Sequence, residues 1–213
     1  AVWIVNGVFF LLVGAILGYA VFGCLRRLGK TTRDLKKVTA RIKADARTTN
    51  TYLWERYQTK DLFETKALEE AFDEYCSEMS RLENGTINGT QCDIEDYINE
   101  DLLDGEMNRG YLNLISGFMT GLGILGTFVG LTIGLQEFNA GGAAEIEQSI
   151  PPLMDGIKVA FHTSVFGVAF SMVYSLVFKS DTRRAELALR EFLSEFNAKV
   201  VPSHENSVVN ALL

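Results

Sequence analysis

Charge is missing from three long stretches of this sequence. Val2 to Leu25 and Tyr111 to Gln136 contain no Asp, Glu, Lys or Arg, and Val159 to Phe178 has only His162 as a potentially ionisable side chain. The whole-chain averages hide this: over 213 residues, 22% are charged, 47% are apolar and the net charge is −7. A helix crossing about 30 Å of hydrocarbon needs roughly 20 such residues, and each stretch is long enough. An integral membrane protein with three spans is expected. The first stretch exceeds the 7–15 apolar residues typical of a secretory signal, and its positive charges follow the apolar run, which makes a secretory signal the lesser alternative.

Cysteine is scarce and unpatterned. Cys24, Cys76 and Cys92 show neither paired nor metal-ligand spacing, which argues for free thiols. No nucleophile–base pair, zinc pattern or strand-to-helix phosphate loop occurs, so neither an enzyme nor a cofactor is expected. Within the apolar stretches the absence of carboxylates matters most. Intramembrane Asp and Glu are the usual proton-relay groups. If the protein handles protons, the titrating group comes from another chain.

What is present begins with basic residues. Arg26, Arg27, Lys30, Arg33, Lys36, Lys37, Arg41, Lys43 and Arg47 follow the first stretch, opposed only by Asp34 and Asp45. Such segments stay cytoplasmic, which places the N-terminus outside and the long middle segment inside. Their simplest role is to fix topology and touch lipid headgroups. With no interleaved aromatics, no direct nucleic-acid contact is expected. From Glu55 to Glu106 the balance inverts to sixteen acidic against four basic residues. Leu62, Phe63, Leu68, Phe72 and Tyr75 recur there at helical intervals, predicting one or two amphipathic helices. Asn84-Gly85-Thr86 and Asn88-Gly89-Thr90 read as turns. The acidic cluster from Asp93 to Glu106 lacks an EF-hand pattern and reads as a solvated face, and the basic and acidic stretches can pair between helices.

The expected organisation is all-α. It comprises a first span over 1–25, a cytoplasmic helical region over 26–110, a second span over 111–136, a periplasmic loop over 137–155 and a third span over 156–178. Residues 179–213 read as a cytoplasmic helix that starts a longer tail and is ended or bent at Pro202. The loop contains Gly141-Gly142 and Pro151-Pro152 but no Lys or Arg, consistent with an outward position.

Two small-residue stripes stand out. In the second span Gly126, Gly130 and Gly134 have small-xxx-small spacing, and Thr120, Gly123, Thr127, Gly130 and Gly134 form a stripe of small and hydroxyl residues. In the third, Ala160, Ser164, Gly167, Ser171 and Ser175 share one helix face. Two antiparallel helices with such faces can build a narrow polar lining. For Ser171 and Ser175, hydrogen-bonded glue between helices is the simpler role. For Thr127 and Ser164, glue and ion path remain equal alternatives. His162, close to the external end of its span, reads as an interfacial polar residue.

Gly123-Ile124-Leu125-Gly126-Thr127-Phe128-Val129-Gly130 approximates a G-L-x-G-T-x-x-G pattern. Ala160-Phe161-His162-Thr163-Ser164-Val165-Phe166-Gly167 matches A-x-x-x-T-x-x-G, with Ser164 in place of threonine. As a pair in adjacent spans, these motifs resemble the MotA/TolQ/ExbB proton-channel family over about 111–179. The glutamate that ExbB-type members carry early in the last span falls at Val159, and the four-span layout of flagellar members is absent. The three spans, the Thr–Ser pair and the helical C-terminal stretch most resemble motor subunits of the Zorya anti-phage system.

The resemblance implies a homopentameric ring in the bacterial inner membrane, with the N-terminus periplasmic and the C-terminus cytoplasmic. The ring would surround two copies of a single-span, MotB-, ExbD- or ZorB-like partner with a cell-wall-binding domain. That partner supplies the protonatable Asp. Thr127 and Ser164 would face it along the path of an ion, H+ by expectation, with Thr163, Thr120 and Ser171 also on the path. Gly123, Gly126, Gly130, Gly134 and Gly167 would pack helices. Proton flow would turn the ring, and the C-terminal tail would signal to cytoplasmic effectors. An ExbB/TolQ-like energiser of an outer-membrane system and a non-conducting membrane scaffold are the alternatives.

Overall fold

The computed structural model describes residues 2–45, 53–58, 61–84, 92–136, 138–139 and 141–201. Among them there is no strand. The helices are α1 (Val2–Gly18), a π-helical segment (Tyr19–Leu25), α2 (Arg26–Asp45), α3 (Trp54–Tyr57) and α4 (Lys66–Asn84). A 3-10 turn (Ile94–Asp96) then precedes α5 (Glu100–Met107), α6 (Arg109–Gln136) and α7 (Ala143–Lys199). Three helical stretches, Ile4–Asp45, Ile94–Gln136 and Ala143–Lys199, are long and apolar enough to cross a membrane. The chain divides into two compact units, Ala1–Leu25 with Asn108–Ser180, and Arg26–Met107 with Asp181–Leu213.

The first unit is apolar inside and out. Its outer faces expose Leu11 (75%), Phe22 (72%), Leu114 (69%) and Phe161 (69%). In water, contiguous apolar surface on this scale is an aggregation hazard, whereas against lipid tails it is the natural exterior. Inside the unit, α1 reaches α7 through Phe10 and Phe166, 5.3 Å apart at their ring centroids, and Tyr19 meets Tyr111 at 5.4 Å.

Residues 143–155, expected as loop, belong to α7, so the connection from α6 is short. Pro151 and Pro152 lie inside the helix. Proline removes a backbone donor, but the flanking Ala143, Ala144, Glu145, Glu147, Gln148, Leu153 and Met154 are good helix formers. Buried Ser149 fastens the turn, accepting from Asn139 N at 3.0 Å and donating to Glu145 O at 2.7 Å. The helix also continues past 178 to Lys199, as expected. Residues 85–90 of the two Asn-Gly-Thr sites, and Pro202, lie outside the described residues.

The second unit has an aromatic core. Its helices are amphipathic, as the periodicity implied: α2 buries Leu28, Leu35, Val38 and Ile42, and α4 buries Leu68, Phe72, Tyr75 and Met79. From α7, Ala185, Ala188, Leu189, Phe192 and Phe196 complete the core. Phe63 sits 5.7 Å from Phe72 and 5.5 Å from Phe192, and Tyr75 packs at 5.8 Å against both Trp54 and Tyr97. These edge-on contacts add about 0.5–1.5 kcal/mol each beyond area burial.

Asp34 joins α2 to the start of α4. Its Oδ2 accepts from Glu64 N at 2.8 Å and Thr65 N at 2.7 Å, and the residue is only 5% exposed. Basic and acidic segments also pair, as the charge pattern allowed, through Lys37 with Glu64, Lys43 with Glu191 at 2.6 Å and Arg190 with Glu100 at 3.3 Å. These pairs are solvated, so they orient the surface more than they stabilise it.

All three cysteines are free thiols. Burial, followed by the nearby Asp73 carboxylate, pushes the Cys76 thiol up to about 11. The thiolate is the reactive form. At pH 8, iodoacetamide should modify Cys76 about 100-fold more slowly than an unperturbed thiol, because two pKa units separate their thiolate fractions. Site-resolved mass spectrometry reads the rate, which should reach that of an ordinary thiol when the chain is unfolded in denaturant.

Candidate functional site

The two motif-bearing helices, α6 and α7, meet along a seam of glycine. Gly123, Gly126, Gly130 and Gly134 are all buried on one face of α6. A Cβ placed on Gly130 would lie 2.7 Å from Ala160 N and 2.8 Å from Gly156 O, and one on Gly126 would lie 2.5 Å from Thr163 Oγ1. From the other side, a Cβ on Gly156 would come within 2.5 Å of Gly130 O, and one on Gly167 within 2.8 Å of Gly123 Cα. Real Cβ atoms do not approach so closely, so these contacts require glycine. With no hydrophobic drive between helices in lipid, van der Waals contact and interhelical hydrogen bonds hold such a pair. Gly156 was not singled out from the sequence. It lies four residues before Ala160, so the small-residue spacing reached back to it, at the first residue of the expected third span.

The seam is closed, and the hydroxyls divide around it. Thr163 is fully buried (0% exposed) against Gly126, and its Oγ1 donates within its own helix to Val159 O (2.9 Å) and Ala160 O (3.2 Å). Ser171 is also buried, hydrogen-bonded to Ser116 Oγ at 2.8 Å and Ser116 O at 2.9 Å. Ser175 donates to Ser116 Oγ at 2.8 Å, and Tyr174 donates to Leu112 O at 2.9 Å. Ser171 and Ser175 therefore tie α7 to α6. Their common partner, Ser116, sits four residues before Thr120 and continues the small-residue row that ended there in the sequence reading.

Thr120, Thr127 and Ser164 remain at the edge, each half-buried. On helices turning about 100° per residue, Thr120 and Thr127 lie about 40–60° round from the Gly123 direction, and Ser164 about 40° round from Ala160. In antiparallel helices these offsets fall on the same side of the pair. The hydrogen bonds agree: Thr127 Oγ1 donates to Gly123 O at 3.1 Å and reaches Ala160 O on α7 at 3.4 Å. Thr120 Oγ1 donates to Ser116 O at 3.1 Å. Ser164 has no hydrogen-bond partner among the described residues. The expected face of Ala160, Ser164, Gly167, Ser171 and Ser175 is thus split, its centre packed on α6 and Ser164 turned to the rim.

This arrangement leaves no space between the two helices at Gly126, Gly130, Gly156 and Gly167, where an added methyl group would collide. It offers instead a hydroxyl edge to whatever lies beside the pair. Hydroxyls donate and accept, so such an edge suits water, an ion or a carboxylate. No cluster of His, Cys, Asp or Glu able to hold a metal occurs among the described residues.

Gly130→Ala and Gly156→Ala should each destabilise the protein by about 1–3 kcal/mol through overpacking against backbone. Gly121→Ala on the open face of α6, where a Cβ meets nothing within 4 Å, should be neutral or gain up to about 1 kcal/mol of helix propensity. Thermal unfolding midpoints in detergent separate the two outcomes.

Comparison with known proteins agrees with the motif pair. A family described as "Anti-phage protein ZorA, Zorya type I system" matches residues 2–206. The chain is 27% identical over 132 residues, 60% of its length, to the Zorya protein ZorA of Escherichia coli O139:H28 (strain E24377A / ETEC), covering 18% of that protein. It is 47% identical over 57 residues, 27% of its length, to the Zorya protein ZorA of Escherichia coli strain ATCC 8739, covering 10% of it. The matches therefore span less than a fifth of those relatives. With the family matched across nearly the whole sequence, the chain belongs to the ZorA-like anti-phage proteins of the type I Zorya system.

Proposed function

We propose that the chain is the channel-forming stator subunit of an ion-driven rotary motor in the bacterial inner membrane, serving anti-phage defence. The observation that carries this reading is the hydroxyl edge at Thr127 and Ser164, in two apolar helices that contain no carboxylate. Ser164 has no partner among the described residues, so its donor and acceptor are open to a group from outside the chain. A complementary group is the Asp of a single-span, MotB-, ExbD- or ZorB-like partner with a cell-wall-binding domain.

Five copies would form the ring, with α6 and α7 of each presenting this edge to a central partner dimer. A proton crossing between the partner Asp and this edge would turn the ring. One charge moved through 100 mV releases about 2.3 kcal/mol, enough to drive a conformational step. The N-terminus would be periplasmic and the polar unit cytoplasmic, where a tail continuing from α7 would carry motion to effectors. Thr120 would extend the path, while Ser171 and Thr163 would hold its wall. Membership in an anti-phage family supports this reading over an energiser of an outer-membrane system.

Co-reconstitution with the partner in liposomes should give partner-dependent acidification under an imposed potential. The Thr127→Ala, Ser164→Ala double variant should lower the flux about tenfold or more, the scale of losing hydrogen bonds to a charged group. Equal flux from wild type and double variant defeats the channel reading and leaves a scaffold. Flux that follows a sodium gradient and ignores a proton gradient reassigns the ion.

A further inference from the structure

The basic residues of α2 fall into two groups. Lys37 and Lys43 are engaged by Glu64 and by Glu191 with Glu195. Arg26, Arg27, Lys30, Arg33 and Lys36 are exposed, and none has an ion-pair partner among the described residues. Asp34, the only acid among them, is turned inward and holds Glu64 N and Thr65 N. It therefore forms no ion pair with the outer row.

Lys30 and Arg33 border a recess of about 450 Å³, lined also by Asp34, Lys37, Glu64 and Thr65. Glu64 is paired with Lys37, and Asp34 accepts two backbone N–H groups through Oδ2 while its Oδ1 is buried without a hydrogen-bond partner. Lys30 and Arg33 are the unanswered charges.

Their place in the chain says what would answer them. Arg26 directly follows the apolar run ending at Leu25, within the continuous helix Ile4–Asp45. At 1.5 Å per residue, Arg33 lies about 12 Å along the helix from Leu25. The headgroup layer extends about 5–8 Å beyond the hydrocarbon, and long basic side chains reach back toward it. We propose that Lys30 and Arg33, with Arg26 above them, seat the phosphodiester of an anionic phospholipid, so that the first span carries a charge-selective lipid site. The site rests on the reading of Val2 to Leu25 as a membrane span. It adds to topology a preference for headgroups of net negative charge, since the choline cation of a zwitterionic lipid opposes the positive charge of Lys30 and Arg33.

Electron paramagnetic resonance of spin-labelled lipids tests this on the full-length protein in phosphatidylcholine bilayers. Spin-labelled phosphatidylglycerol should be preferred over spin-labelled phosphatidylcholine at the protein surface by about fivefold, the worth of one basic contact near the membrane. A Lys30→Gln, Arg33→Gln variant should lose most of that preference. The charge-conserving Lys30→Arg, Arg33→Lys variant, and Lys43→Gln at an engaged lysine, should keep it. Equal affinity for both lipids, or a preference untouched by the double Gln variant at unchanged helicity, overturns the proposal. Displacement by excess inorganic phosphate at fixed ionic strength assigns the seat to a soluble anion and overturns the lipid assignment. A spectrum without any motionally restricted lipid overturns the span reading as well.

Discussion

The backbones of α6 and α7 touch, and the apolar unit depends on that touch. Where lipid surrounds a helix pair, burying apolar surface gives no net drive, so close packing and interhelical hydrogen bonds must supply the attraction. Glycine at Gly123, Gly126, Gly130 and Gly134 brings the helices within van der Waals range of Gly156, Ala160, Thr163 and Gly167. The same closeness sets the rotation of both helices. With glycines inward, Thr163 and Ser171 are trapped in the seam, while Thr120, Thr127 and Ser164 come to the rim.

That rotation separates structural from available hydroxyls. Ser116, Ser171 and Ser175 form one hydrogen-bonded cluster across the pair. Thr163 satisfies its hydroxyl on its own helix. Half-buried Ser164 differs from all of them in having no partner among the described residues. A polar group left open in an apolar surround is costly unless something else completes it. The polar unit follows the opposite physics. There an aromatic core is assembled from Trp54, Phe63, Tyr97 and the rings of α4 and α7, a buried carboxylate at Asp34 ties α2 to the start of α4, and surface ion pairs align the rest.

Much of this was legible in the residue order. Charge-free runs announced the three apolar helices, because no other arrangement tolerates so many consecutive apolar side chains. The period of Leu62, Phe63, Leu68, Phe72 and Tyr75 announced the core side of the polar unit, and all five are buried. Glycine spacing announced the seam. The loop over 143–155 misled, because Pro151-Pro152 is a breaker by local rules, yet helix-forming neighbours and the Ser149 tether carry α7 through it.

Sequence alone determined which helices are apolar, where charge begins and ends, and that the three apolar runs hold no Asp, Glu, Lys or Arg, because each of these is a property of composition along one dimension. Only tertiary structure decided which hydroxyls are available. Thr163 and Ser164 are adjacent in sequence and chemically alike, yet one is sealed against Gly126 and the other stands at the rim. A step of one residue turns a helix by about 100°, and what that turn means depends on the neighbour packed against it. Gly156 and Ser116 show the same limit, since a small residue becomes a contact only when a second backbone arrives beside it.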